Sequence, residues 1–167
     1  MRIPTNEEYD RMVKTTGGED VKIHWANNYS WVNSAIEHCF HSLHRAVRGY
    51  YSASNWVNIT TSQYANVGFR PAFGTMEVDT LAPEGHLSII GTLFMDGQPV
   101  EIPQKPNCVG GIAKYIPGAR LEIRPPLGDP AYIITGYRVD NAVVADRVLL
   151  CKISYEDIEK ALKKGTV

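Results

Sequence analysis

The stretch that decides the fold reads Tyr50-Tyr51-Ser52-Ala53-Ser54-Asn55-Trp56-Val57-Asn58-Ile59-Thr60-Thr61-Ser62-Gln63-Tyr64-Ala65-Asn66-Val67-Gly68-Phe69-Arg70-Pro71-Ala72-Phe73. Serine, threonine, asparagine and tyrosine alternate irregularly with apolar residues, and Gly68 and Pro71 interrupt the run. This pattern predicts irregular loop and short strand. The composition is also that of a contact surface: Tyr brings large area with few rotatable bonds, while Ser and Asn adapt their hydrogen bonds, as in antibody loops. Tyr50, Tyr51 and Tyr64 are the expected apolar anchors. Ser54, Asn55, Val57, Asn58, Ile59, Thr60, Ser62 and Asn66 are the expected contacts around them. An ordinary polar loop favours the same residue types. Trp56 could serve as a fourth anchor, but a scaffold residue packed beneath the loop is the role expected of it.

Upstream, Thr5 followed by Glu8 is a capping box, in which hydroxyl and carboxylate each satisfy a free backbone N–H. Tyr9, Met12 and Val13 then form one apolar stripe, and Gly17-Gly18 ends the helix. Residues 31–47 also show helical spacing, through Val32, Ile36, Cys39, Phe40 and Leu43.

Downstream the chain reads as β. Residues 87–95 meet Asp96-Gly97 and then Pro99–Ile102, and Asp-Gly supplies the positive φ angles of a tight hairpin. A second hairpin is predicted from Tyr132–Val139, Asp140-Asn141 and Ala142–Leu150. Ser154 with Asp157 caps a terminal helix whose inner face carries Ile158 and Leu162, with Gly165 past its end.

Composition shifts near residue 77. All three Trp (Trp25, Trp31, Trp56) and eleven of sixteen aromatics precede it, and eight of ten prolines follow it, so the two parts differ in fold type. Their charge is balanced, seven basic against seven acidic through Glu77 and ten against eleven thereafter. The expected organisation is α+β, with one module over 1–77, a β-rich module with a terminal helix over 78–167, and Leu81–Gly85 as the joint.

The whole chain has 167 residues, 44% apolar and 21% charged, which suits a folded domain. Seventeen Lys and Arg against eighteen Asp and Glu argue against a nucleic-acid binder working through bulk positive charge. No run approaches the roughly 18 apolar residues of a membrane span, and Met1–Thr5 lacks an apolar signal-peptide core. Neither insertion into a membrane nor a nucleic-acid partner is expected. Cys39, Cys108 and Cys151 form no CxxC pair and fit neither a disulfide framework nor a zinc knuckle.

Four segments in order resemble the formylglycine-generating enzyme family and its relatives with a C-type-lectin-like fold. Ile3–Tyr9 looks like that family's "LPTEAEWE" helix start, His24-Trp25 and Trp31 like its Trp-containing loop, Arg45–Gly49 like its "RVxRGGSW" strand, and Gly68–Ala72 like its closing "GFR" strand. The match covers less than half the chain. The family's copper-binding cysteine pair would fall at about Ser52 and Val47, neither of which is Cys, so its oxidative chemistry is not expected here. Residues 50–66 resemble the variable region of proteins diversified by diversity-generating retroelements. Adenine mutagenesis turns an Asn codon into Tyr, Ser, Thr, Ile, Val, Ala or Asp, and apart from Trp56 and Gln63 the segment uses only that set and Asn. The resemblance implies a C-type-lectin-like module over 1–77 that binds without catalysing, a protein or glycan ligand on a cell surface, and a phage virion or bacterial surface setting, with homo-oligomers among the assemblies. It implies Arg45, Arg48 and Arg70 as framework hydrogen-bonders. Because the family carries part of its domain ahead of the matched segment, residues 78–167 or a partner chain are expected to cover the apolar surface left open.

Rival sites are weaker. Glu37, His41 and His44 would share a helical face, but their spacing matches no zinc motif, so a solvated polar face is expected. His38 and Cys39 are neighbours that would point apart on a helix, and Cys39 falls on the apolar stripe. Asn55-Trp56-Val57-Asn58 lacks the carboxylate that a calcium site needs. No catalytic residue, metal or cofactor is expected. The alternatives are a divergent enzyme of the formylglycine-generating or metal-dependent kind and a structural virion component.

Overall fold

The computed structural model describes residues 1–17, 22–33, 44–78, 81–103 and 111–165. The chain opens through the capping box read from sequence. Glu8 N–H donates to Thr5 Oγ1 at 3.2 Å and Thr5 N–H donates to Glu8 Oε1 at 3.0 Å. Helix α1 then runs Asn6–Thr16, buries Tyr9 and Met12, and stops at Gly17 in the left-handed region, φ 77°. At the other end Ser154 and Asp157 cap each other reciprocally at 3.0 Å, and α2 runs Tyr155–Gly165. Neither helix is long and apolar enough to cross a membrane.

Between the helices the described residues form a mixed α and β architecture with two sheets. The first contains, in spatial order, β3 (Trp56–Thr60), β2 (His44–Gly49), β1 (Tyr29–Trp31), β4 (Val67–Phe69), β12 (Leu150–Cys151) and β8 (Ala113–Lys114). The second contains β5 (Ala72–Gly74), β11 (Ala142–Ala145), β10 (Ile134–Val139), β6 (Leu87–Met95) and β7 (Gln98–Pro99), with β9 (Leu121–Arg124) also paired to β6. The Asp96-Gly97 hairpin forms, with φ 49° and 78° at the turn and Phe94 opposite Pro99, but its second strand is Gln98–Pro99 and does not run on to Ile102. The Asp140-Asn141 hairpin also forms, Val139 opposite Ala142.

Several expectations are corrected. The helical spacing over 31–47 ends in strands on both sides, at Trp31 and from His44 onward, while residues 34–43 lie outside the described residues. The second arm of the Asp140-Asn141 hairpin stops at Ala145 instead of continuing to Leu150. Beyond it the chain leaves the second sheet and enters the first as β12, between β4 and β8. The first arm begins at Ile134 and not at Tyr132, which closes a short 3₁₀ turn over Pro130–Tyr132.

The compositional boundary at 77/78 does not divide the sheets, since each takes strands from both sides of it. Trp31, Val47 and Phe69 share one buried cluster with Leu93, Leu150 and the α2 residues Tyr155 and Ile158. The opposite faces of the sheets meet α1 in a second cluster, where Tyr9, Met12 and Trp25 pack with Tyr137 and Val144. Strand β11 is buried on both faces, with Val143 and Ala145 in one cluster and Ala142 and Val144 in the other, which explains its unbroken apolar run. The Leu81–Gly85 segment is a turn pinned to α1 by the Arg11–Glu84 ion pair at 2.6 Å.

Candidate functional site

The segment singled out from sequence lies along the β3 side of the first sheet, and its placement begins with buried arginines. Arg48 is buried. Its Nε donates to Ala53 O at 2.7 Å, and its Nη1 reaches Asn6 Oδ1 at 2.8 Å and Asp10 at 2.7 Å. These bonds tie the start of the loop to α1. Arg70 is fully buried where the chain passes from β4 to β5, and it joins the sheets. Its Nε donates to Ser30 Oγ at 3.0 Å, Nη1 to Ala145 O at 3.2 Å and Nη2 to His24 O at 2.6 Å, and its guanidinium lies 4.3 Å from the Trp25 ring centroid. Burial lowers the Arg70 guanidinium to about 10, which still leaves it charged at neutral pH. Arg45 donates to His44 O at 2.8 Å and lies over the Tyr155 ring.

Between these anchors the chain turns outward. Gly49 adopts φ +109°, and a Cβ there would sit 2.6 Å from Asn28 O and 3.0 Å from the Trp25 ring, so glycine is required. Tyr50 follows at φ 71°, unusual for a side-chain-bearing residue. Its N–H holds that geometry by donating to Trp25 O at 2.9 Å and Asn28 O at 2.8 Å. The Tyr50 ring stacks on Tyr29, centroids 4.9 Å apart at 18°, and Tyr51 packs edge-on against Tyr50 at 4.8 Å and 69°. Tyr51 is 78% exposed.

Exposure sorts the sequence-chosen residues. Tyr51, Ser54, Val57, Asn58, Thr60 and Ser62 are exposed; Tyr50, Asn55, Ile59, Tyr64 and Asn66 are partly buried. The partly buried ones help hold the frame. Asn55 Nδ2 donates to Gly49 O at 3.0 Å, and Asn66 O accepts from Tyr29 N–H at 2.7 Å. Ile59 and Tyr64 pack against the larger core, and the Tyr64 hydroxyl bonds to Thr60 Oγ1. Gln63 ties the same loop to α2 through Asp157 at 2.8 Å.

Trp56 departs from expectation: it is 53% exposed on β3, and within the segment Ala53 and Thr61 are buried instead. The interior there already holds Trp25 and Trp31, both fully buried. Tyr29 is the member that sequence reasoning missed. Strand register places it opposite Gly49, one residue from Tyr50, a proximity that spacing along the chain does not reveal. Burial among its neighbours pushes the Tyr29 phenol up, and Tyr51, Tyr50 and a hydrogen bond with Asn55 act on it in turn.

Of the rival metal-binding residues, His44 begins β2, while Glu37, His38, Cys39 and His41 lie outside the described residues. Among the described residues no group of three His, Cys, Asp or Glu is placed to hold a metal ion. Two grooves of about 370 and 280 Å³ are lined elsewhere, the first by Glu7, Asp10, Arg11 and Asp140, the second by Met76, Ile90, Ile123 and Arg124. Neither of these two grooves is lined by residues 50–66. No protein family, curated protein or solved structure matches the chain.

Proposed function

We propose that this is a non-enzymatic binding protein that presents residues 50–66 on a C-type-lectin-like scaffold. The ligand is a protein or glycan of a cell surface, and the setting is a phage receptor-binding or bacterial surface-display protein whose segment a retroelement diversifies. One observation carries the reading: most of the exposed positions of the segment hold adenine-reachable residues, with Trp56 and Gln63 as exposed residues outside that set and Ala53 and Thr61 as buried residues within it. Residues of the set reachable by adenine mutagenesis occupy the open positions Tyr51, Ser52, Ser54, Val57, Asn58, Thr60 and Ser62, whereas Arg48, Gly68, Phe69 and Arg70, which frame them, are buried. A surface so arranged tolerates exchange of its contacts while the frame stays fixed, since substitutions away from buried features usually cost within about 0.5 kcal/mol.

Nucleotide sequencing of the native locus tests the reading. The expected finding is a near-copy of the Tyr50–Phe73 coding stretch, differing only at adenines, beside a reverse-transcriptase gene. A locus without such a copy overturns diversification and leaves a fixed surface.

A further inference from the structure

We infer that the Tyr29–Tyr50–Tyr51 platform takes a neutral sugar ring, with Tyr51 stacking on its C–H face. The inference rests on reading residues 50–66 as a binding surface and assigns its ligand class. Three observations carry it. The first is charge: residues 49–69 contain no Asp, Glu, Lys, Arg or His, in a chain that is 21% charged, and the flanking Arg48 and Arg70 are both buried. A protein partner of standard size covers about 800 Å² per side, with a polar rim whose charges set register and steer encounter. This segment offers no charge for such a rim.

The second is rigidity. Tyr51 is largely exposed yet edge-packed on Tyr50, which is stacked on Tyr29, and its N–H donates to Gly49 O at 3.0 Å. An aromatic face held in place before binding loses little freedom on contact. The third is the kind of polar group beside it. Ser52 and Ser54, which follow Tyr51 on the same loop, are exposed residues with hydroxyls, while the Asn55 amide is engaged with Gly49 O and Tyr29. A neutral pyranose has an apolar C–H face and a rim of hydroxyls, which an aromatic face on a hydroxyl-bearing loop complements.

The test uses the full chain as wild type, Tyr51→Ala and Tyr51→Phe, applied to an array of neutral and acidic oligosaccharides and to a random peptide library, with thermal unfolding as the folding control. The expected result is binding to neutral oligosaccharides that Tyr51→Ala weakens about tenfold or more, that Tyr51→Phe preserves within about threefold, and that a metal chelator does not alter. Unfolding temperatures of all three should coincide, because Tyr51 is exposed. A blank array, binding confined to acidic glycans, or neutral binding indifferent to Tyr51→Ala overturns the sugar assignment. Peptides selected by the wild type and lost in Tyr51→Ala, with a blank array, overturn the sugar and leave the binding surface standing. If neither library yields a ligand sensitive to Tyr51, both readings fall.

Discussion

His24 is a buried histidine in a cluster of charged groups that act against its protonation. Its N–H donates to Asp146 O at 2.9 Å and its carbonyl accepts from Arg70 Nη2 at 2.6 Å. Burial first, then the positive charges of Arg147 and Arg70, lower the imidazole from 6.5 to about 4, with Asp146 opposing them. The folded protein therefore resists a proton that the unfolded chain accepts. Stability is full above pH 6.5 and falls as pH drops from there toward 4, by up to about 2 kcal/mol once residual solvent screening is allowed for. Urea unfolding of wild type and His24→Gln between pH 7 and 5 isolates this contribution, because the depressed carboxylates of Glu8, Glu77 and Asp157 lose their stabilisation only at lower pH. The wild-type midpoint should fall with acidification more steeply than that of the variant, and parallel slopes would show that His24 protonates freely in the folded state. The site was legible at this scale only in part. The composition of 50–66 pointed to a polar, tyrosine-bearing loop, but which tyrosines stack and which asparagines brace depends on the left-handed turn at Gly49 and Tyr50, a three-dimensional fact.

At the scale of elements, the fold turns on the place where two chain segments cross between the sheets side by side. One runs β4–Pro71–β5 and the other β11–β12, and they pair on both sides of the crossing: Phe69 with Leu150, Gly68 with Cys151, Ala72 with Val144. Leu149 N–H donates to Phe69 O and Ala145 N–H to Pro71 O, each at 2.9 Å. Gly68 makes this approach feasible, since a Cβ there would lie 2.1 Å from Leu150 O and 2.4 Å from Val148 Cγ1. Gly68→Ala should cost about 3 kcal/mol by forcing β12 off β4. Gly128→Ala, whose Cβ would meet nothing within 4 Å, should stay within about 0.5 kcal/mol. Equal denaturation midpoints for the two variants would refute the account. What sequence showed at this scale is what local chemistry dictates. Both capping boxes and the Asp96-Gly97 and Asp140-Asn141 turns appear where their residues call for them, because each is completed within a few positions. The helical spacing read over 31–47 overlaps strand at Trp31 and from His44 onward, and in β2 both faces are buried, Val47 toward one core and Ala46 toward the other. Alternation of apolar and polar residues, the usual mark of a strand, is then lost.

For the whole molecule, the shift in composition at residue 77 invited two modules, and the reason it misleads is non-local pairing. The aromatic-rich part supplies β1–β5, but β4 has β12 as its neighbour and β5 has β11. The indole of Trp31 donates to Ile153 O at 2.9 Å, across 122 residues of sequence, and Tyr155 packs on the same ring edge-on at 5.9 Å. Removing residues 78–167 would therefore uncover one face of Trp31, Val47 and Phe69 and leave Arg70 without its bond to Ala145 O. The exposure of a shared core is enough to unfold a domain of ordinary marginal stability, about 5–15 kcal/mol. The full chain should accordingly unfold in one cooperative step. Tryptophan fluorescence reports on the aromatic-rich part, since all three Trp precede residue 77. Far-ultraviolet circular dichroism reports on both parts, and the two signals should give the same midpoint and slope in urea. Residues 1–77 expressed alone should show exposed tryptophan emission and no cooperative transition. Two separated transitions in the full chain, or a folded 1–77 fragment, would mean that the crossing strands join two independent units and do not build one.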